Sequence, residues 1–130
     1  MLSKMKKSYS SDPLTERIIG AAIEVHRVLG PGLLEVIYEE ALCVEFELQG
    51  LQYERQVAIG VTYKGRNIKG QRIDLLVEGE VVVEIKSVGD LPEVATAQVI
   101  SYLRATGLKR GLLINFGKDR LVDGVKRISL

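Results

Sequence analysis

Tryptophan is absent from this 130-residue chain, cysteine and histidine occur once each, and five Tyr and two Phe are the only aromatics. One cysteine, Cys43, excludes an intrachain disulfide, a cysteine-built zinc site and a four-cysteine iron–sulfur cluster. It falls in an apolar helical pattern, which predicts a buried, inert thiol. So few aromatics argue against a platform that stacks the bases of a single strand. No apolar run approaches the 18 residues of a membrane helix. The opening "MLSKMKKSYSS" is basic but has no apolar stretch behind it, as a secretory signal would. A cytoplasmic protein is the default expectation. An excess of one charge sign is also missing: the net charge is +1, so the total does not point to a nucleic-acid partner.

The distribution of charge says more than its sum. From Asp12 to Glu54 there are nine acids against two bases, Arg17 and Arg27, whereas Arg55 to Arg72 holds five bases and no acid. Arg104 to Arg127 then has seven bases and two acids. A basic remainder behind an acidic first third can present a positive face to phosphate, or it can be a set of solvated faces.

Length and composition predict a flexible polar lead-in over residues 1–11 and one domain over 12–130. "DPLTERIIGAAIEVHRVLG" opens a helix with Asp12 as N-cap and Pro13 at its first position, and "GPG" at 30–32 ends it. A second helix is expected from about Leu33 to Gln49, with Glu39, Glu40 and Glu47 directed away from its apolar stripe. Three strand-like runs follow, "YERQVAIGVTYK", "NIKGQRIDLLV" and "EVVVEIKSV". A third helix spans "GDLPEVATAQVISYLRATG", where Asp90 and Glu93 stand at capping-box spacing. "KRGLLINFG" reads as a fourth strand and "DGVKRISL" as a short fifth. The order ααβββαβ(β) implies a mixed sheet with helices packed on it.

Within this core-forming region stand Asp74, Glu84 and Lys86. A hairpin symmetric about Gly79 pairs residues whose numbers sum to 158, which opposes Ile73 to Ile85, Leu75 to Val83 and Val77 to Val81 on one apolar face. The other face then opposes Asp74 to Glu84 and Arg72 to Lys86. Like charges directly opposed are destabilising unless a cation or a shared proton intervenes. A divalent ion with oxygen ligands resolves the conflict; so does a cross-strand salt-bridge cluster with Arg72 and Lys86.

Asp74 followed ten residues later by "Glu84-Ile85-Lys86" resembles the signature of the PD-(D/E)XK nuclease superfamily, with Ile73 standing where a Pro often precedes the aspartate. "Gly32-Leu-Leu-Glu35-Val-Ile-Tyr38" is similar to the motif that names the GxxExxY family of small proteins within it, and "Gln98-Val-Ile-Ser-Tyr102" resembles the QxxxY motif of RecB-type members. The resemblance implies an α/β, restriction-endonuclease-like αβββαβ core with an extra N-terminal helix. It implies a metal site of Asp74, Glu84 and the Ile85 backbone carbonyl, with Glu35 as an additional acid. Lys86 would orient or activate the attacking water, and Gln98 and Tyr102 would position substrate or Lys86. Mg²⁺ or Mn²⁺ would be the cofactor.

Each role has an ordinary counterpart. Glu35 gains from the helix dipole in a first turn, Tyr38 suits packing with a bonded hydroxyl, and His26 suits a surface or capping place near a helix C-terminus. The expectation is a metal-dependent nuclease cleaving nucleic-acid phosphodiesters, with DNA favoured over RNA. Lys64, Arg66, Lys69 and Arg72 are the candidates for phosphate contacts. The alternatives are a catalytically silent nuclease-fold module for nucleic-acid or protein binding, and a homodimer joined through its apolar helices.

Overall fold

The computed structural model describes residues 12–130; the expected lead-in over 1–11 lies outside them. Asp12 caps the first helix, α1 (Pro13–Leu29), its carboxylate accepting from the Leu14 and Thr15 amides at 3.0 and 3.4 Å. Gly30, with φ 69°, ends α1. The chain then turns into α2 (Glu35–Gln49), closed by Gly50 in the left-handed conformation. The Tyr38 hydroxyl locks the turn between them, donating to Gly30 O and accepting from Leu33 N. Its ring stacks on Phe116 at 4.4 Å, so Tyr38 is the packing residue its position suggests.

Strands β1 (Tyr53–Tyr63), β2 (Arg66–Val77) and β3 (Val81–Lys86) follow, then helix α3 (Glu93–Thr106), strand β4 (Arg110–Asn115), a 3₁₀ turn (Leu121–Gly124) and β5 (Val125–Ser129). They form one sheet in the order β1-β2-β3-β4-β5, with β3 and β4 parallel and every other pair antiparallel. The crossover from β3 to β4 is α3, as a parallel pair requires. This is the expected order. Among the described residues no helix is long and apolar enough to cross a membrane.

Each face of the sheet carries its own core. Leu75, Val77, Val81, Val83, Ile85, Leu112 and Ile114 pack with Ile18, Ala22, Tyr38, Leu42 and Phe46 of α1 and α2. Ile73, Val82 and Leu113 pack with Ala95, Val99, Tyr102 and Leu103 of α3. The odd positions of β2 therefore do not form the one continuous face that the two-residue period predicts. Leu75 and Val77 face α1 and α2, and Ile73 faces α3. The flip recurs in β1, where Tyr53 packs on the first core, and Val57 and Ile59 on the second. Between them lies Gln56 at φ 50°, opposite Asp74 in the register. A left-handed residue turns its strand over, and the partner strand follows. Further out, β2 carries an extra residue relative to β1 between Ile68 and Gln71, where Gly70 takes φ 133°.

Four expectations need correction. The capping box at Asp90 does not form: Pro92 sets the helix start, so Glu93 is the first helical residue rather than the third, and Asp90 instead pairs with Lys118 at 2.9 Å. His26 is buried, not at the surface, with Nε2 2.8 Å from Lys118 O and its ring tilted against Phe116. Glu39 is buried on α2, not directed away. Arg72 and Lys86 do not share a face, since Arg72 lies between Gln71 and Ile73 on the side away from α3. The Cys43 thiol is buried as expected, and burial pushes its pKa up.

Asn115, fully buried at the end of β4, anchors the chain leaving β3. Its Oδ1 accepts from the amides of Val88 and Gly117 at 3.0 Å each, and its Nδ2 donates to Val88 O at 2.9 Å. Gly117 lies so close that a Cβ there would stand 2.2 Å from Val88 O. Asn115→Ala is expected to destabilise the protein by about 2–4 kcal/mol, because it leaves buried backbone groups unpaired. Denaturant unfolding measures this, and a loss below about 0.5 kcal/mol would show that the anchor is dispensable.

Candidate active site

The hairpin follows the expected register at Leu75–Val83, Leu76–Val82 and Val77–Val81, then stops pairing. Where the ladder ends, two carboxylates replace it. The Ile85 amide donates to Asp74 Oδ2 at 2.9 Å, and the Asp74 amide donates to Glu84 Oε1 at 3.3 Å. Each acid thus satisfies a backbone donor of the opposite strand, which fixes both side chains in the gap. The backbone flip at Gln56 and Asp74 is what opens that gap. The sequence placed the two acids together correctly, but it offered no signal for side chains standing in for ladder bonds.

Glu84 is 4% exposed. Burial, and then the neighbouring Asp74 charge, push its pKa up to about 8, against smaller downward pulls from the Asp74 amide hydrogen bond and then Lys86. Among the described residues no ion pair within 4.0 Å joins Asp74 or Glu84 to Arg72 or Lys86. The cross-strand salt-bridge cluster is therefore not formed. Arg72 instead reaches Gln56 O at 3.4 Å.

A third acid, Glu39, lies behind the pair. Gln56 Nε2 donates to Asp74 Oδ1 at 3.3 Å and to Glu39 Oε1 at 2.8 Å. Glu39, 6% exposed, also accepts from Arg55 at 3.0 and 2.7 Å. The relay Asp74–Gln56–Glu39–Arg55 was missed from sequence. One signal was available: Glu39 stands at i−3 and i−4 from Leu42 and Cys43, on the buried stripe of α2. Glu35, four residues before it, is exposed in the first turn and makes no hydrogen bond or ion pair among the described residues. The start of α2 nevertheless borders the end of β3, because Ser87 Oγ donates to Leu33 O at 2.6 Å.

On the α3 face, Tyr102 is buried beside the carboxylates. Burial, then the charges of Glu84 and Asp74, push its phenol up to about 12, while the Gln98 side chain, bonded to it, pulls the other way. Lys86 and Gln98 line a cavity of about 530 Å³ together with Gln71, Pro92, Val94, Ala95 and Ala97. The fold thus gathers Asp74, Glu84, Lys86, Gln98 and Tyr102. Ile85 uses its amide for Asp74. Its carbonyl points toward β2 as well, since strand alternation sends the groups of Lys86 to β4, where Lys86 O accepts from Phe116 N at 2.8 Å.

Lys64, Arg66 and Lys69 are not part of this cluster. They are exposed on the part of the β1–β2 hairpin that outruns β3, with Arg66 about 26 Å along the strand from Asp74. The Lys64 ammonium lies 5.5 Å from the centre of the Tyr63 ring.

Among the described residues no three His, Cys, Asp or Glu side chains form a metal cage. Mg²⁺ and similar hard ions need none, taking one or two carboxylates and completing the shell with water and substrate oxygens. A carboxylate pair whose buried member, Glu84, is raised first by burial and then by the Asp74 charge is a donor set such an ion fits.

A family model described as the PD-(D/E)XK nuclease superfamily matches residues 12–128. No curated protein matches the chain. Among solved structures, the crystal structure of SSO0001 is similar at 19% identity and a TM-score of 0.46, over 91% of this chain and 78% of that one.

Proposed function

The chain belongs to the PD-(D/E)XK nuclease superfamily, and from that premise we propose that it is a divalent-metal-dependent nuclease hydrolysing nucleic-acid phosphodiester bonds. Its five-stranded mixed sheet between α1–α2 and α3 is the restriction-endonuclease-like fold. One observation carries the reading: the buried Glu84 and the half-buried Asp74 meet at the broken end of the β2–β3 ladder, within electrostatic reach of Lys86 and Tyr102. Keeping the Glu84 carboxylate buried beside the Asp74 charge costs stability, which an ion would recover. Gly32, Glu35 and Tyr38 support placing the chain in the GxxExxY family.

In this reading Asp74, Glu84 and the Ile85 carbonyl hold Mg²⁺ or Mn²⁺. The ion supplies Lewis-acid polarisation of the phosphate and lowers the pKa of water. Lys86 orients the attacking water and balances charge building on the phosphate oxygens. Gln98 and Tyr102, braced on each other, keep the Lys86 side of the cavity in shape. Glu35 joins from the start of α2. Gln56 and Glu39 hold Asp74 in its rotamer, and Lys64, Arg66 and Lys69 meet the phosphate backbone beyond the site, favouring DNA. Arg72, exposed on β2, is the fourth candidate for a phosphate contact and also donates to Gln56 O.

The test is calorimetric titration of Mg²⁺ and Mn²⁺ into wild type and Asp74→Asn, beside cleavage assays on DNA and RNA. Binding and cleavage in wild type, both lost in the variant, are expected. Absence of metal binding with no cleavage of either nucleic acid would sink the reading and leave its rival, a catalytically silent binding module. Gln56→Ala should weaken metal binding about 10-fold with Asp74 in place, as expected for a partner that orients a ligand. Unchanged affinity would remove Gln56 from the site.

A further inference from the structure

Two cavities open along one face of α3. The inner one, about 530 Å³, holds Lys86, Gln71 and Gln98. The outer one, about 440 Å³, lies between Gly60, Val61 and Thr62 of β1 and Ser101, Arg104 and Ala105 of α3. Gln98, Ser101 and Ala105 recur at helical spacing, so both cavities share one stripe of α3 and form a trough against the hairpin. From Gln98 to Arg104 the helix rises about 9 Å, room for two or three nucleotides at about 3.4 Å each in a stacked strand.

Gln98 of this trough is bonded to Tyr102, but Gln71, Lys86 and Arg104 leave groups open to a ligand. Gln71 Oε1 is buried and accepts no hydrogen bond. A buried amide oxygen left unpaired is costly and asks for a ligand donor. Gln71 stands on the α3 side because it is two residues from Ile73, in the same phase of β2. Lys86 and Arg104 make no ion pair among the described residues, so a free cation stands at each end. No aromatic side chain lines either cavity, which leaves backbone and sugar contacts rather than base stacking. Cavities of this size take a nucleotide or two each; the cross-section of a duplex does not enter them.

We propose that the trough from Lys86 to Arg104 holds one unpaired nucleic-acid strand, with Arg104 on a phosphate and Gln71 on a hydroxyl or amino group of the strand. The hydrolase reading enters only in placing the bond to be cut at the Lys86 end. Fluorescence anisotropy with labelled 12-nucleotide DNA and RNA strands and their duplexes, in metal-free buffer, tests it on the full chain. Wild type should bind a single strand at least tenfold tighter than the duplex. Arg104→Ala should weaken that binding about 3- to 10-fold and flatten the slope of log K against log salt by about 0.7, the value of one phosphate contact on a single strand. Gln71→Leu should weaken it 3- to 10-fold with the slope unchanged. Arg27→Ala, on the opposite side of the sheet, should change neither, and circular dichroism checks that each variant is folded. A preference for RNA would place the Gln71 contact at the 2′-hydroxyl; equal binding of DNA would place it on a group both strands share. Equal affinity for duplex, no binding at all, or full affinity in Arg104→Ala and Gln71→Leu overturns the proposal. Strand binding of this pattern without cleavage in Mg²⁺ or Mn²⁺ would instead sink the hydrolase reading and leave the trough standing.

Discussion

Lys86→Met is expected to lower the cleavage rate about 10²- to 10³-fold while leaving divalent-metal affinity and fold stability nearly unchanged. The magnitude is that of removing one preorganised group aimed at charge that develops in the transition state, about 3–4 kcal/mol. The separation from stability follows from the structure. Lys86 makes no ion pair with Asp74, Glu84 or any other described acid, so its loss strands no buried partner. Methionine keeps most of the aliphatic stem that lines the α3 cavity. Metal affinity should hold because Asp74 and Glu84 are fixed by backbone amides rather than by the ammonium. Steady-state cleavage, with metal titration and unfolding on the same variant, measures the three quantities together. A rate within threefold of wild type would remove Lys86 from the chemistry. A large loss of stability would mean that it acts as a packing residue.

The element order, the helix stop at Gly30 and the register about Gly79 were all legible, because each follows from local backbone preference or from period-two patterning. So was the meeting of Asp74, Glu84 and Lys86 at one end of a hairpin. What the sequence hid was a change of phase. A glutamine at φ 50° has no signature comparable to a glycine, yet Gln56 turns two strands over, so that Ile73 faces α3 while Leu75 and Val77 face α1 and α2. The buried acid Glu39 was hidden for a related reason. Its partners Gln56 and Arg55 come from a strand whose pairing cannot be read from α2 alone. Asp90 illustrates the opposite error: its spacing to Glu93 suited a capping box, and a single proline between them moved the helix start. Local rules failed where a distant contact or one backbone conformation outweighed them, and most of those places border the candidate site.

Glu84 gives the largest expected pH effect. Its carboxyl is held at about 8 in the folded protein against an ordinary value of 4.5, so the native state binds the proton more tightly than the unfolded chain does. Stability from this group is fully present below about pH 4.5 and is lost as the pH rises through about 8. Each unit of the raised interval is worth about 1.4 kcal/mol, which sets a ceiling on the order of 5 kcal/mol; sharing of the titration with Asp74 lowers the observed figure. Glu84→Gln keeps the shape and the oxygen that accepts from the Asp74 amide, and it carries no charge to bury. Wild type and variant should therefore unfold with similar free energies at pH 5 and diverge steadily above it, the variant being the more stable by several kcal/mol at pH 9. Mn²⁺ at pH 8 should close that gap by stabilising wild type alone, since the ion takes the place of the proton between the two acids. The same competition makes metal affinity fall about tenfold for each pH unit below 8. Parallel stability curves from pH 5 to 9 would show that Glu84 is ionised at no cost. The case for a cation between Asp74 and Glu84 would then lose its physical ground, because the pair would need nothing to hold it together.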